Sequence, residues 1–296
     1  MSKTLVLIAS YPKSGNTWTR IVFERLRRGP EFPIGALVGR FQGTQLRHAF
    51  DAIAPVEAAD LLPAEIELFL PEVFRRIASD LPERTFVKTH DAARRNAEGE
   101  WLHPPECVHA VIYLARHPFD VAVSTAHHFG IGIDKAVAFM GDQAAIPQAT
   151  SRLPETLFQC YDSWSAHVAS WADEAPYGVA FARYEDLLAD PVAQFLRLAR
   201  AAGFNAAAAD VARVVAVSGF EQLQRDEQLR GFSERPKSSP QFFRSGRSGS
   251  WQGVLSESLR ETLLRDHGPM MERLGYAADG SALPASALVL PGQAGS

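Results

Sequence analysis

Apolar residues along the chain fall into two alternating kinds of segment. Residues 5–9 (LVLIA), 85–88 (TFVK), 108–114 (VHAVIYL) and 178–182 (GVAFA) are short, rich in branched side chains and mostly without polar alternation, as strands buried on both faces are. Between and after them, apolar residues recur three and four apart. Helices are predicted from Thr17 to Arg28, with Trp18, Ile21, Val22, Phe23 and Leu26 on the inner face, over 64–79 despite Pro71, and from Pro118 to Phe129. Further helices are predicted over 157–171, 192–201, 206–217, 220–228 and 256–274. Basic residues and then Gly29-Pro30 stop the first, while Pro118 and Asp190-Pro191 mark starts. This alternation predicts an α/β fold, three layers (α/β/α) about a central parallel sheet, with ligands at the carboxyl ends of the strands.

Segments outside the pattern carry their own expectations. Residues 32–63 mix Gly, Pro and aromatic side chains and predict a long excursion over one face, of the kind that forms binding lids. Residues 91–105 read as a polar surface loop. Residues 230–253 hold four glycines, two prolines and five basic residues but few aliphatics, so a mobile lid is expected there. From 277 onward the chain is small, polar and Pro/Gly-containing, and fraying is expected. No internal repeat is found, and 1–296 is expected to form one domain.

Charge narrows the range of partners. Lys and Arg number 30 against 34 Asp and Glu, a net of −4, so the overall field favours neither nucleic acid nor an anionic membrane, and any anion site must be local. Cys107 and Cys160 are too few for a disulfide framework and fit a reducing compartment. The first apolar run is too short for a signal peptide, and no stretch reaches the length of a membrane span, so a cytoplasmic location is expected. Neither His127-His128 nor His103, Cys107 and His109 form a ligand set at a familiar spacing, and no metal is expected.

The loop after the first strand has the most chemical content. A loop that ends where a helix begins aims free N–H groups and the positive end of the helix dipole at whatever lies above it. Gly15 permits close approach of the backbone, Ser14 and Thr17 add hydroxyls, and Lys13 adds a full charge. The common phosphate loop GxxxxGK[ST] is not matched, because Lys13 precedes the glycine.

Residues Tyr11-Pro12-Lys13-Ser14-Gly15-Asn16-Thr17-Trp18 closely resemble the P-loop-like 5′-phosphosulfate loop of the PAPS-dependent sulfotransferases, usually YPKSGTTW; PAPS is 3′-phosphoadenosine-5′-phosphosulfate. Further landmarks of that family follow in order. Lys88-Thr89-His90 is similar to its KTH, and 113–129 (YLARHPFDVAVSTAHHF) to its 3′-phosphate segment. Arg183-Tyr184-Glu185-Asp186 resembles its YED corner and Ser218-Gly219-Phe220 its TSF segment. Arg244-Ser245-Gly246, followed by Gly249-Ser250-Trp251, resembles RKGxxGDW.

The resemblance implies a cytosolic-type sulfotransferase that moves the sulfuryl group of PAPS to a hydroxyl or amine of a small or amphipathic acceptor and releases PAP, without a metal. By resemblance, His90 is the general base, Lys13 stabilises the leaving oxygen, Ser124 restrains Lys13, and Lys88 contacts the transferring group. Lys13, Ser14, Gly15, Asn16 and Thr17 hold the 5′ end; Arg116, Ser124, Arg244, Ser245 and Gly246 hold the 3′-phosphate. Trp18, Tyr184 and Phe220 surround the adenine, and Ser218 is a further cofactor-binding residue. Phe50 and Phe69, with His127, His128 and Phe129, are expected to line the acceptor pocket. Asn16 replaces a threonine, Gly219 a serine, and Ser245 a lysine for which Arg247 is near enough to substitute. The KxxxTVxxxE pairing signal is not found, so the dimer it marks is not assumed. An ATP- and magnesium-dependent phosphotransferase and a catalytically silent PAP or PAPS binder are the alternatives.

Overall fold

The computed structural model of the protein describes residues 3–37, 47–142, 157–235 and 241–284. All four expected strands are present: β1 (Leu5–Ser10), β2 (Thr85–Thr89), β3 (Val108–Ala115) and β4 (Val179–Arg183). They form one parallel sheet in the order β2-β1-β3-β4. Along β1, Leu5, Leu7 and Ala9 enter one core while Val6 and Ile8 enter another. A strand with no polar face needs cover on both sides.

In chain order the helices are α1 (Asn16–Arg28), α2 (Arg47–Asp51), α3 (Pro63–Asp80), α4 (Pro118–Phe129), α5 (Ile133–Gly141), α6 (Trp164–Ala169), α7 (Tyr184–Ala189), α8 (Pro191–Ala201), α9 (Ala208–Val217), α10 (Phe220–Arg230) and α11 (Glu257–Arg273). Helices α1, α7, α8 and α9 cover the Val6 face through Phe23, Leu187, Phe195 and Val211. On the Leu5 face, α3, α4, α5, α6 and α11 contribute Phe74, Phe119, Met140, Trp164 and Met271. The three-layer α/β/α architecture is therefore the fold. Ile21 of α1 and Leu223 of α10 join Phe232 and Phe243 in a third, smaller cluster beside the site.

Several elements differ from expectation, each for a local reason. Residues 157–163 are not helical, because Cys160 bonds sideways: its carbonyl accepts the Ala92 N–H at 2.9 Å and its own N–H donates to the Asp91 carboxylate at 3.0 Å. The helix starts only at Trp164, where the Ser163 hydroxyl accepts the Ala166 N–H. The tail, expected to fray from 277, is tied as far as Leu283. Arg183 donates to the carbonyls of Leu274, Gly275 and Leu283 at 3.1, 2.9 and 2.6 Å. The expected mobile lid is also anchored where it is described. The buried Glu227 carboxylate accepts the N–H groups of Phe242 and Phe243 at 2.7 and 2.9 Å, and buried Asp120 accepts those of Gly249 and Trp251 at 2.8 and 3.2 Å. In a segment with no strand or helix partner, these carboxylates satisfy the backbone. Residues 236–240 and 285–296 lie outside the described residues.

Phe50 corrects another expectation. It is 1% exposed in the core, edge-on to Phe69 at 6.3 Å, because α2 turns it inward against α3. Phe50→Ala should accordingly lower the unfolding free energy by about 3 kcal/mol in urea denaturation. A loss below about 1 kcal/mol would mean that the ring is not a core residue.

Candidate active site

The parallel strands bring their carboxyl ends, and the residues after them, to one place. Lys13 follows β1, Lys88 and His90 lie at the end of β2, Arg116 follows β3 and Tyr184 follows β4. These five line a cavity of about 350 Å³. Gly15, Asn16, Thr17, Trp18 and Ser124 share its wall, as do His128, Phe129, Phe220, Arg244, Ser245 and Gly246. Five expected residues do not. Phe50 and Phe69 pack in and against the core, and His127 is exposed because it is one helix position, about 100°, away from His128. Ser14 is fully buried behind the loop with its hydroxyl unpartnered. Ser218 is buried too: its hydroxyl accepts from Arg25 at 3.1 Å while its carbonyl accepts the Trp18 indole N–H at 2.9 Å, so it holds Trp18 from behind.

The anion loop is built by backbone constraints. Gly15 precedes α1 at φ 98° with no side-chain cap, which leaves first-turn amides for an anion. Only glycine fits, since a Cβ there would lie 2.8 Å from the Tyr184 ring. Gly246, at φ 60°, is confined in the same way by the Phe220 ring, which a Cβ there would strike. Lys13 is itself left-handed, φ 72°, and Arg116 donates to its carbonyl at 3.2 Å. Asn16 has a structural reason to replace threonine. Its amide donates to the Ile8 carbonyl at 2.9 Å and its oxygen accepts from Arg20 Nε at 3.1 Å, tying β1 to α1 and aiming Arg20.

Arg20 and Glu234 were not among the expected site residues. Buried Arg20 donates to both Glu234 oxygens, at 2.7 and 2.6 Å; Thr17 Oγ1 donates to the same carboxylate at 3.4 Å, and Lys88 Nζ lies 3.6 Å from it. Burial raises the pKa of Glu234, but Lys88 and Arg20 outweigh it and hold the carboxyl well below the usual range. The Asn16/Arg20 spacing of one helical turn could have signalled Arg20. Nothing local in the sequence singles out Glu234.

Burial, then Lys88 and Arg116, push the Lys13 ammonium down to about 7. Its Nζ lies 3.1 Å from His128 Nδ1 and 4.9 Å from the Phe242 ring centre. Lys13 is thus paired with His128, and Ser124 stands on the same cavity wall. Burial and then Lys13 push His128 down to about 3, so it stays neutral and accepts. His90 Nδ1 lies 2.8 Å from the Ser10 carbonyl. A carbonyl can only accept, so Nδ1 carries the hydrogen and Nε2 is the basic nitrogen. Burial and then Lys88 hold His90 well below its ordinary pKa, which keeps it neutral at pH 7. His167 Nε2, 3.0 Å from the His90 carbonyl, fixes the backbone there.

On the opposite side, Arg116 lies 4.5 Å from the Tyr184 ring centre and donates to the Arg247 carbonyl at 2.9 Å. The side chain of Arg247 is exposed, and the Ser245 hydroxyl pairs with that of Ser250 at 3.1 Å. The uncapped amides of α1, the glycine-lined approach, and Lys13, Lys88, Arg116 and Arg244 suit a polyanion with charge at two ends. Among the described residues, no group of three His, Cys, Asp or Glu side chains is placed to hold a metal, and no helix is long and apolar enough to cross a membrane.

Comparison with known proteins gives the class. The sequence profile of the sulfotransferase domain matches residues 3–275. The chain belongs to that family and is a PAPS-dependent sulfotransferase. It is similar to flavonol 3-sulfotransferase of Flaveria bidentis, at 21% identity over 87% of this chain and 78% of the relative. It is also similar to sulfotransferase 1A1 of Bos taurus, at 24% identity over 86% and 79%. Its fold resembles retinol dehydratase solved with androsterone and inactive cofactor PAP, with TM-score 0.61 and 22% identity over 92% of this chain and 82% of that one.

Removing the Glu234 charge tests the electrostatic description. Glu234→Gln should lower the stability of the free protein by about 2 kcal/mol, since Arg20 and Lys88 lose their counter-ion, and PAP should raise Tm more in the variant than in wild type. Equal shifts with PAP would show that Glu234 and the nucleotide do not share these cations.

Proposed function

We propose that this sulfotransferase uses His90 as general base and Lys13 as the cation at the leaving oxygen, and that its acceptor is a hydroxyl or amine on a small or amphipathic molecule. What supports this most is the hydrogen bond from His90 Nδ1 to the Ser10 carbonyl, which presents Nε2 as a proton acceptor in the cavity that also holds Lys13. PAPS supplies the sulfuryl group and leaves as PAP. His90 takes the acceptor's proton at Nε2 while the acceptor bonds to sulfur. Lys13 keeps its proton directed at the oxygen on which charge develops. At about 4 Å and an effective dielectric near 20, that contact is worth on the order of 4 kcal/mol before costs, roughly three decades of rate if felt only in the transition state. Arg116, Ser124 and Arg244 take the 3′-phosphate in this reading, the loop amides and Thr17 the 5′ end, and Trp18, Tyr184 and Phe220 the adenine. Lys88, held beside Glu234, faces the transferring group.

With labelled PAPS and a panel of acceptors, His90→Ala should lose at least about a hundredfold in kcat while calorimetry gives an unchanged Kd for PAP, with or without magnesium. A magnesium requirement, or binding of ATP in place of PAP, would overturn the assignment.

The Lys13 pKa sets a pH dependence with a definite sign. Free Lys13 loses its proton above about pH 7, whereas a bound anion favours the charged form, so binding takes up a proton. The Kd for PAP should therefore weaken by about tenfold per pH unit above 7 until the bound-state pKa is reached. Lys13→Met should flatten that rise. A wild-type Kd constant from pH 7 to 9 would show that Lys13 does not meet the nucleotide.

A further inference from the structure

Gln159 lies at the wall of the same cavity, 8% exposed, and its Oε1 is buried without a hydrogen-bond partner. A buried amide oxygen left unpaired costs about 1–3 kcal/mol, and a ligand N–H or O–H that reaches it recovers that cost. Its backbone is held in place. The next residue, Cys160, is bonded through both its N–H and its carbonyl to Asp91 and Ala92, just beyond His90. Tyr161 then packs edge-on to His90, with ring centres 6.2 Å apart, and to Tyr11 at 6.3 Å. Gln159 is thus fixed two residues from a ring that touches the base. The walls of the same cavity also carry His90, Lys13 and the apolar rings of Phe129 and Phe242. An acceptor in this cavity has apolar rings, the base and the side chain of Gln159 on its walls.

We propose that Gln159 is a specificity-determining residue, selecting acceptors that carry a second hydrogen-bond donor, a hydroxyl or N–H, besides the group that is sulfated. The proposal rests on the sulfotransferase reading for which group reacts, but recognition can be measured without turnover. A site built to receive a donor discriminates against an analogue that lacks it far more strongly than an apolar pocket discriminates by size.

The test measures acceptor binding to the PAP complex, with phenol, the three benzenediols and their monomethyl ethers as probes. The ethers keep the size of the second substituent but can no longer donate from it. In wild type at least one diol should bind about tenfold or more tightly than both phenol and its own ether. Gln159→Leu should abolish that advantage with PAP affinity unchanged, and Gln159→Glu, which keeps an acceptor oxygen, should retain it. Equal binding of diol, ether and phenol to wild type, or a preference that survives in Gln159→Leu, would overturn the proposal. Preference for the ether would do so as well, by showing that the amide presents its N–H₂ instead. If binding discriminates as expected but no probe is sulfated, what fails is the role given to His90 and Lys13, not that of Gln159.

Discussion

Like charges resist being gathered, yet Lys13, Lys88, Arg116 and Arg244 line one cavity and Arg20 lies against its Glu234, most of them shielded from water. The parallel sheet forces the arrangement, because it brings the ends of four strands together, and the dipole of α1 adds to the same positive field. The molecule relieves the repulsion in two ways. Lys13 and Lys88 bind their protons less tightly than usual, and Glu234 places a negative charge between Lys88 and Arg20. Both are reversible, so a polyanion that enters replaces a strained balance with a better one.

Much of this was legible in the sequence, and the reason is geometric. A buried strand in an α/β sheet must be apolar on both faces, so all four strands appeared as short apolar runs, and ligand-binding residues had to follow them. Lys13, His90, Arg116 and Tyr184 were marked by the motifs they belong to, and each lies within a few residues of a strand end. Residues whose role depends on the path of the chain were not legible. Phe50 looked like a pocket residue until α2 turned it into the core, and Glu234 meets Arg20 across more than two hundred residues of sequence. The helical spacing of Leu157 and Tyr161 reflected burial alone, since Asp91 and Ala92 draw that backbone away from a helix, whereas Trp164 and Val168 do lie on α6.

The departures from the family pattern are not equal in kind. Asn16 is compensated within the loop, where it bridges Ile8 and Arg20. Ser245 is not replaced by the side chain of Arg247, which faces solvent; that residue contributes a carbonyl to Arg116 instead. The first change is part of a rebuilt network that includes Glu234, whereas the second removes a cation from the wall.

Glu227 and Asp120 act as piers. One grips the backbone at Phe242 and Phe243, the other at Gly249 and Trp251, and the chain from Arg244 to Ser248 hangs between them as a short span. Such a span can sag or rise but cannot travel. The distance from the loop of β1 to Arg244 is therefore set by the scaffold, which works as a gauge of ligand length: an anion with charge at only one end leaves one side of the cavity unanswered.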